Sequence, residues 1–191
     1  MKKLILASSS PRRAELLKQI GLDFEIRAGN VDETPLPGLS PPELVRCLAE
    51  KKAAAVARQL NDGIVIAADT VVVWQGQVLG KPLDEDEAFA MLSRLQGSVH
   101  EVFTGIALAG ARSGKSLVGH EQTRVFFRAI GEDEIRRYIA GGEPLDKAGA
   151  YGAQGRGAVF IKRLEGCYTN VVGLPLARLS LMLKEFGINV L

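Results

Sequence analysis

The chain has 191 residues, of which 47% are hydrophobic and 24% charged, a composition typical of globular proteins with a full core. Disordered and fibrous classes are therefore excluded, and the length predicts one domain over residues 1–191 with two joined lobes rather than two independent domains. The 24 basic and 22 acidic residues give a formal net charge of +2, too small for the field that nonspecific nucleic-acid binding needs. We expect no nucleic-acid partner.

No apolar run approaches the roughly 18 residues of a membrane span, so no membrane partner is expected. The opening MKKLILASSS resembles a secretory signal, but its apolar stretch, 4–7, is far shorter than the roughly 7–15 residues that such a signal needs. That stretch instead predicts a first strand. Cys47 and Cys167 form no CxxC pair, so neither a disulfide framework nor a cysteine–histidine zinc site is predicted. We expect a cytoplasmic location.

Apolar periodicity and turn residues predict alternating strands and helices along the chain. In chain order these are a strand over 3–7, a helix over 11–20, a strand over 24–28, a helix over 41–60, strands over 64–68 and 71–74, a helix over 85–95, strands over 101–109 and 123–129, a helix over 132–139, a strand over 158–161 and a helix over 176–186. The combination of β-α-β units and hairpin-like segments predicts an α/β fold with a mixed, twisted sheet and flanking helices.

The segment SSSPRR, Ser8 to Arg13, follows the first strand and begins a helix at Pro11. A helix cap explains Ser10 and Pro11, but it leaves Arg12 and Arg13 in the first helical turn, where the helix dipole disfavours cations. A bound anion would compensate, and strand-to-helix turns present backbone amides to anions. The segment therefore indicates a phosphate site, with a plain helix start as the alternative.

Lys52 lies at the centre of the apolar stripe of the long helix. The other members of that stripe are Val45, Leu48, Ala49, Val56 and Leu60. The lysine amine either reaches solvent along its apolar stem or meets an anion in the interior. A polyphosphate would serve as that anion.

Asp69 and Thr70 interrupt the apolar stretch from Ile64 to Trp74, where an unpaired carboxylate is very costly. Asp69 must therefore be hydrogen-bonded in a turn, salt-bridged or bound to a metal ion. Glu33, in a polar loop over 29–39, is the best second acid. Two carboxylates facing a basic phosphate site suit a hard cation such as magnesium or manganese.

The glycine-rich segment DKAGAYGAQG, residues 146–155, suggests a close approach of backbone to a ligand, although an irregular loop would look similar. Gln154 matters if that ligand is a base. Its side-chain amide offers an acceptor and donors that match the N3–H and a carbonyl of uracil or thymine.

These motifs, together with VDE at 31–33, AADTVV at 67–72, GKP at 80–82 and NVVGLPL at 170–176, resemble the Maf family of nucleoside triphosphate pyrophosphatases from end to end. The resemblance implies a two-lobed fold related to the inosine triphosphatase architecture, with the nucleotide in a cleft between the lobes. It also implies a homodimer. The branch it matches hydrolyses dTTP and UTP to the monophosphate and pyrophosphate with a divalent cation, either magnesium, manganese or cobalt.

Family roles transfer by motif to individual positions of this chain. By that resemblance Asp69 is the catalytic proton acceptor and Glu33 a second essential carboxylate, and we expect the two to hold the metal. The positions expected around the phosphates are Ser8, Arg13, Lys52 and Lys81. The positions expected to set substrate choice are Arg12, Thr70 and Gln154.

Two alternatives stay open at this point. The sister branch acts on 7-methyl-GTP and tends to carry an acid in place of Gln154. A non-catalytic nucleotide-binding regulator of septum formation would bind nucleotide without turning it over.

Overall fold

The structure, a computed structural model, describes residues 2–29 and 38–191. Within those ranges the strands are β1 (Leu4–Leu6), β2 (Glu25–Ile26), β3 (Ile64–Trp74), β4 (Gln77–Leu79), β5 (Val99–Gly110), β6 (Ser116–Phe127) and β7 (Ile161–Glu165). The α-helices are α1 (Pro11–Gln19), α2 (Pro41–Ala57), α3 (Glu85–Leu95), α4 (Glu132–Ile139), α5 (Tyr168–Val172) and α6 (Leu176–Lys184). Short 3-10 helices span Glu143–Asp146, Ala148–Ala150 and Arg156–Phe160.

The strands form one mixed sheet in the order β2-β1-β3-β5-β6-β7, with β4 paired to β3. β1 is parallel to both β2 and β3, whereas β4 runs antiparallel to β3 and β7 antiparallel to β6. The predicted α/β fold with a mixed sheet and flanking helices is confirmed.

Helix bounds follow local signals closely. α3 and α4 begin and end where the sequence predicts, and the Asp84 carboxylate accepts a hydrogen bond from the Glu87 backbone N–H at 2.8 Å, which caps α3. The long helix α2 begins after Ser40, whose N–H donates to the Glu43 carboxylate at 2.9 Å, but it ends at Ala57, before the predicted 60.

Several strand predictions are wrong in part, among them the strand predicted over 123–129, which begins seven residues earlier and runs over Ser116–Phe127 as β6. Residues 64–74 form one unbroken strand, so Asp69 and Thr70 lie within β3 and not in a break between two strands. The predicted strand over 158–161 is mostly 3-10 helix, and β7 occupies Ile161–Glu165 instead. β2 keeps only two residues of the predicted 24–28.

The chain divides into two compact units, the first comprising the described parts of 1–69 with 104–121 and 173–191, and the second comprising 70–103 and 122–172. In the first unit α2 packs on one face of the sheet. That core consists of Ile5, Ala7, Ala49, Ala53, Val56, Val65, Ala67, Ala107 and Ala109. Because most of these side chains are small, the helix axis can lie close to the strands.

The second unit has its own core, in which α3, α4 and the 3-10 segments cover the sheet. Its centre is aromatic: His100 Nε2 lies 2.8 Å from the Tyr151 hydroxyl, and the His100 ring meets Phe127 edge-on at 4.8 Å between centroids. His100 is 1% exposed, and burial lowers its pKa from 6.5 to about 3. The ring is therefore neutral in the folded chain.

No helix among the residues that the structure describes is long and apolar enough to cross a membrane.

The buried imidazole predicts a pH-dependent stability. Because the folded-state pKa lies below the unfolded one, the unfolded chain binds the extra proton between pH 6.5 and 3, and stability falls as pH falls through that window. Lowering the pH from 7 to 5 should cost on the order of 2 kcal/mol through this group. Urea unfolding at several pH values measures it. His100→Gln should remove most of that pH dependence, whereas the control His120→Gln should retain the larger part. An equal change in the free energy of unfolding with pH in the wild type and in His100→Gln would contradict the assignment of this effect to His100.

Candidate active site

The candidate site of the first unit lies at the carboxyl edge of its parallel strands. From β1 the chain passes to β2 on one side of it, and β3 then pairs on the other side. Ligands of open α/β sheets bind outside the carboxyl ends of the strands where the strand order reverses in this way. Leu6 pairs with Ile66, so Ser8, two residues after the end of β1, and Asp69, three residues after Ile66 within β3, lie toward the same edge.

The SSSPRR segment forms the turn between β1 and α1. Ser10 occupies the N-cap position, but its side chain makes no capping bond. The Ser8 hydroxyl instead accepts hydrogen bonds from the Ser10 N–H at 3.2 Å and from Arg13 Nη1 at 3.1 Å. Arg12 is partly exposed in the first turn of α1. The turn therefore gathers hydroxyl and guanidinium groups at a helix start, as an anion site requires.

Arg13 is anchored by a residue that sequence reasoning missed. Its Nε donates to the Gly173 carbonyl oxygen at 2.8 Å. Gly173 has φ +120°, a backbone conformation that side chains disfavour, and it precedes α6. The NVVGLPL motif contains this glycine, but nothing in its spacing points to a residue 160 positions away.

Lys52 and Asp69 form an ion pair. Lys52 Nζ donates to Asp69 Oδ1 at 2.6 Å, and each side chain is 12% exposed. The interior anion that the helix pattern requires for Lys52 is thus supplied, in this structure, by Asp69. Of the three roles that the sequence left open for Asp69, the structure shows the salt bridge. The prediction that Asp69 lies in a turn is wrong, because β3 is continuous through this position.

Alternation along β3 explains this pairing. Val65, Ala67 and Asp69 project from the face of the sheet that α2 covers, because successive strand residues point to opposite faces. A Cβ on Gly105 would lie 2.0 Å from the Val45 carbonyl oxygen of α2, so only glycine permits the helix to approach β5 there. Lys52, two helical turns after Val45, is thereby brought against the sheet.

The other proposed positions belong to the second unit. Thr70 lies on the β3 face that also carries Val72, since the two residues are two apart on one strand. Lys81 is exposed just after β4, and its neighbour Gly80 accepts a hydrogen bond from the Gly149 N–H at 2.9 Å. A Cβ on Gly149 would come within 2.9 Å of Val72.

Gln154 is exposed in the same glycine-rich segment as Gly149. Within the second unit, the backbone therefore connects the Lys81 segment to the segment that carries Gln154. The Gly149 backbone also lies close to Val72 of β3.

The metal prediction rests on Glu33 and Asp69. Glu33 lies outside the described residues. Among residues 2–29 and 38–191 there is no group of three histidine, cysteine or acidic side chains arranged to hold a metal ion. Of the two predicted ligands, Asp69 is the one whose surroundings can be described, and one of its carboxylate oxygens bonds to Lys52.

The parallel strands and the groups at their carboxyl edge define an open α/β protein with a candidate anion site. A solved structure of a HAM1 protein from Coxiella burnetii has the same fold, with a TM-score of 0.54 and 17% identity over 97% of this chain and 100% of that chain.

The chain belongs to the Maf family, since the family profile described as Maf-like protein matches residues 3–186. A relative from Pelotomaculum thermopropionicum is 64% identical over the full length of both chains, and one from Desulforamulus reducens is 50% identical, also over the full length of both. Each of these two relatives is called a dTTP/UTP pyrophosphatase. The family resemblance drawn from the motifs is confirmed.

The ion pair predicts strong coupling between Lys52 and Asp69 in the free energy of unfolding. Because each single substitution leaves the partner charge poorly solvated, Lys52→Met and Asp69→Asn should each destabilise, and a double-mutant cycle should give a coupling above about 1 kcal/mol. The control is the exposed pair Lys3–Glu25, 2.8 Å apart, for which Lys3→Met and Glu25→Gln should show a much smaller coupling. Equal coupling in the two cycles would contradict the description of the Lys52–Asp69 pair.

Proposed function

We propose that the chain hydrolyses dTTP and UTP to the nucleoside monophosphate and pyrophosphate. The observation that carries this proposal is the Asp69 carboxylate, held by Lys52 at the carboxyl edge of parallel strands. The name shared by the two full-length relatives supports the substrate and the reaction. The chain also carries the residues that the resemblance assigns to that branch, Arg12, Thr70 and Gln154.

The phosphates bind through the hydroxyl and cationic groups. Ser8 and Arg13 sit at the start of α1, where backbone amides and the helix dipole favour an anion. Lys52 and Lys81 add positive charge. In our proposal these four groups stabilise the negative charge that develops on the departing pyrophosphate.

Asp69 acts as the general base. A water molecule attacks the α-phosphorus, its proton passes to the Asp69 carboxylate, and the bond between the α-phosphorus and the bridging oxygen breaks to release pyrophosphate. Lys52 holds the carboxylate in a fixed orientation through the 2.6 Å hydrogen bond, so the base is in place before the substrate arrives.

A divalent cation fits the donor set, since magnesium is usually held by one or two carboxylates together with phosphate oxygens. Asp69 provides one carboxylate, and Glu33 is proposed as the other. When bound, the cation polarises the phosphate oxygens and lowers the pKa of a bound water. Magnesium, manganese and cobalt are all compatible with oxygen donors of this kind.

Gln154 reads the base in this proposal. In the orientation proposed for the complex, its amide accepts from N3–H and donates to a carbonyl of uracil or thymine, whereas cytosine presents an acceptor at N3 and would require the amide to turn by about 180°. An unpaired amide in the bound complex costs about 1–3 kcal/mol, which is enough to set a preference. Arg12 and Thr70 complete the group proposed to set substrate choice.

Asp69→Asn tests the base. The substitution keeps the size of the side chain but removes the proton acceptor, so turnover of UTP should fall by about 10²–10⁴-fold while nucleotide binding stays measurable. Pyrophosphate release with added magnesium or manganese measures turnover, and calorimetry measures binding. Asp84→Asn, at the exposed N-cap of α3, is the matched control and should keep wild-type turnover.

Near wild-type pyrophosphate release by Asp69→Asn would remove Asp69 from the mechanism. Binding of nucleotides by the wild-type chain without any pyrophosphate release would instead favour a non-catalytic regulator.

Gln154→Ala tests base recognition. Because the variant leaves the base edge without its partner, the preference for UTP over CTP, measured as the ratio of kcat/KM values, should fall by about tenfold. Gln77→Ala, at an exposed position of β4, is the control and should leave the ratio unchanged. An unchanged preference in Gln154→Ala would exclude this residue from base recognition, and a higher turnover of 7-methyl-GTP than of UTP by the wild type would favour the sister branch.

We propose in addition that the chain forms a homodimer, as the family resemblance implies, and that it is cytoplasmic, as its cysteine usage indicates. Sedimentation of the purified chain measures the first and fractionation of cells the second.

A further inference from the structure

The Glu143 side chain accepts three hydrogen bonds, one from Tyr138 on α4 and two from the segment that follows Glu143. Oε1 accepts from the Tyr138 hydroxyl at 2.9 Å and from the Gly157 N–H at 3.2 Å, and Oε2 accepts from the Arg156 N–H at 2.8 Å. Hydrogen bonds to an ionised acceptor are stronger than neutral ones. One carboxylate thus connects Tyr138, near the end of α4, to the backbone 13 and 14 residues after Glu143.

Tyr138 extends this connection to the other side of the glycine-rich segment. Its hydroxyl accepts a hydrogen bond from the Gly152 N–H at 3.1 Å while it donates to Glu143. The tyrosine is 4% exposed, and burial raises its pKa, so the hydroxyl keeps the proton that it donates.

The glycines of this segment fit around these side chains. A Cβ on Gly155 would lie 2.4 Å from Glu143 Oε1, and one on Gly157 would lie 2.8 Å from the Tyr138 hydroxyl. A Cβ on Gly152 would lie 2.7 Å from Lys147 Cε and 2.8 Å from Glu143 Oε1. The close approach that the glycines permit is therefore to side chains of the same chain, which the sequence alone does not distinguish from an approach to a ligand.

Lys147 holds the beginning of the segment. Its Nζ donates to the Glu143 carbonyl oxygen at 2.7 Å and to Asp146 Oδ1 at 2.5 Å, and its side chain is 13% exposed. Glu143 therefore takes part through both its backbone and its carboxylate.

Gln154 lies between the anchored positions. Gly152 precedes it by two residues and bonds to Tyr138, and Arg156 follows it by two and bonds to Glu143. A span of so few residues that is fixed at both ends has few backbone conformations, so the Cα and Cβ atoms of Gln154, from which its amide reaches out, are held in place. The same anchors leave the Gln154 side chain at the surface.

We propose that Glu143 and Tyr138 are positioning residues that fix the Gln154 segment for recognition of the base. The inference rests on the proposed function, because it assumes that Gln154 reads the base of a nucleoside triphosphate. Neither residue is assigned a contact with the substrate.

Glu143→Gln tests this inference. The amide replaces one acceptor oxygen by a donor that would face a backbone N–H or the tyrosine hydroxyl, so at least one anchor is lost. We expect KM for UTP to rise about tenfold with kcat changed by less than about threefold, and the preference for UTP over CTP to fall about tenfold. Glu132→Gln is the matched control: it makes the same change on α4 in an exposed pair with Arg136 and should leave all three values unchanged.

Hydrogen exchange gives a readout that does not depend on activity. In Glu143→Gln the amides of Gly152, Arg156 and Gly157 should exchange at least about tenfold faster than in the wild type, while the amides of α3 keep their protection. Should Glu143→Gln fail to fold, Tyr138→Phe removes only the hydroxyl, and the same loss of base preference is expected from it.

The outcomes separate the two proposals. If the wild type releases no pyrophosphate from UTP or dTTP, the proposed function fails and this inference fails with it. If the wild type is active but both variants keep its preference for UTP over CTP, the inference alone is overturned. A uniform loss of kcat for every nucleotide with an unchanged preference also overturns it, since that result is what lost stability would produce.

Discussion

The ion pair between Lys52 and Asp69 is the constraint on which the first unit depends. β3 carries a carboxylate through an apolar sheet without breaking, which is possible only because an ammonium lies 2.6 Å away on the face that α2 covers. That ammonium is in reach because Gly105 lets α2 approach the strands. The register with β1 then brings the hydroxyl of Ser8 toward the same edge. The charged pair and the hydroxyl of Ser8 thus lie toward one edge of the sheet.

The second unit also has a carboxylate that holds the surrounding chain through hydrogen bonds. Glu143 is a carboxylate whose donors come from the backbone and a buried tyrosine, and the chain uses glycine wherever a Cβ would collide with these side chains. In both units a negative side chain organises the surrounding chain by accepting hydrogen bonds. The difference lies in the partner: Asp69 faces an ammonium, whereas Glu143 faces neutral N–H and O–H donors.

Local signals in the sequence suffice for much of the fold and for little of the site geometry. The starts of α2 and α3 depend on local interactions, since Ser40 and Asp84 each form a hydrogen bond with the residue three positions later. The role of Asp69 is different, since its partner is 17 residues away on another element and no local pattern reveals the pairing. The sequence does show that a carboxylate lies among apolar residues, and it therefore predicts that Asp69 needs a partner. The sequence also does not show what lies against the glycines around Gln154. A carboxylate of the same chain and a bound ligand both require a residue without a Cβ, so the two cases give the same glycine pattern.

A crystal structure of the chain with magnesium and a UTP analogue, in which a methylene group replaces the oxygen between the α- and β-phosphorus atoms, tests the central claim most directly. We predict that the α-phosphate lies beside the Asp69 carboxylate, with Ser8 and Lys52 in hydrogen-bond contact with phosphate oxygens. An analogue bound with its phosphates remote from both Ser8 and Asp69 would contradict the account.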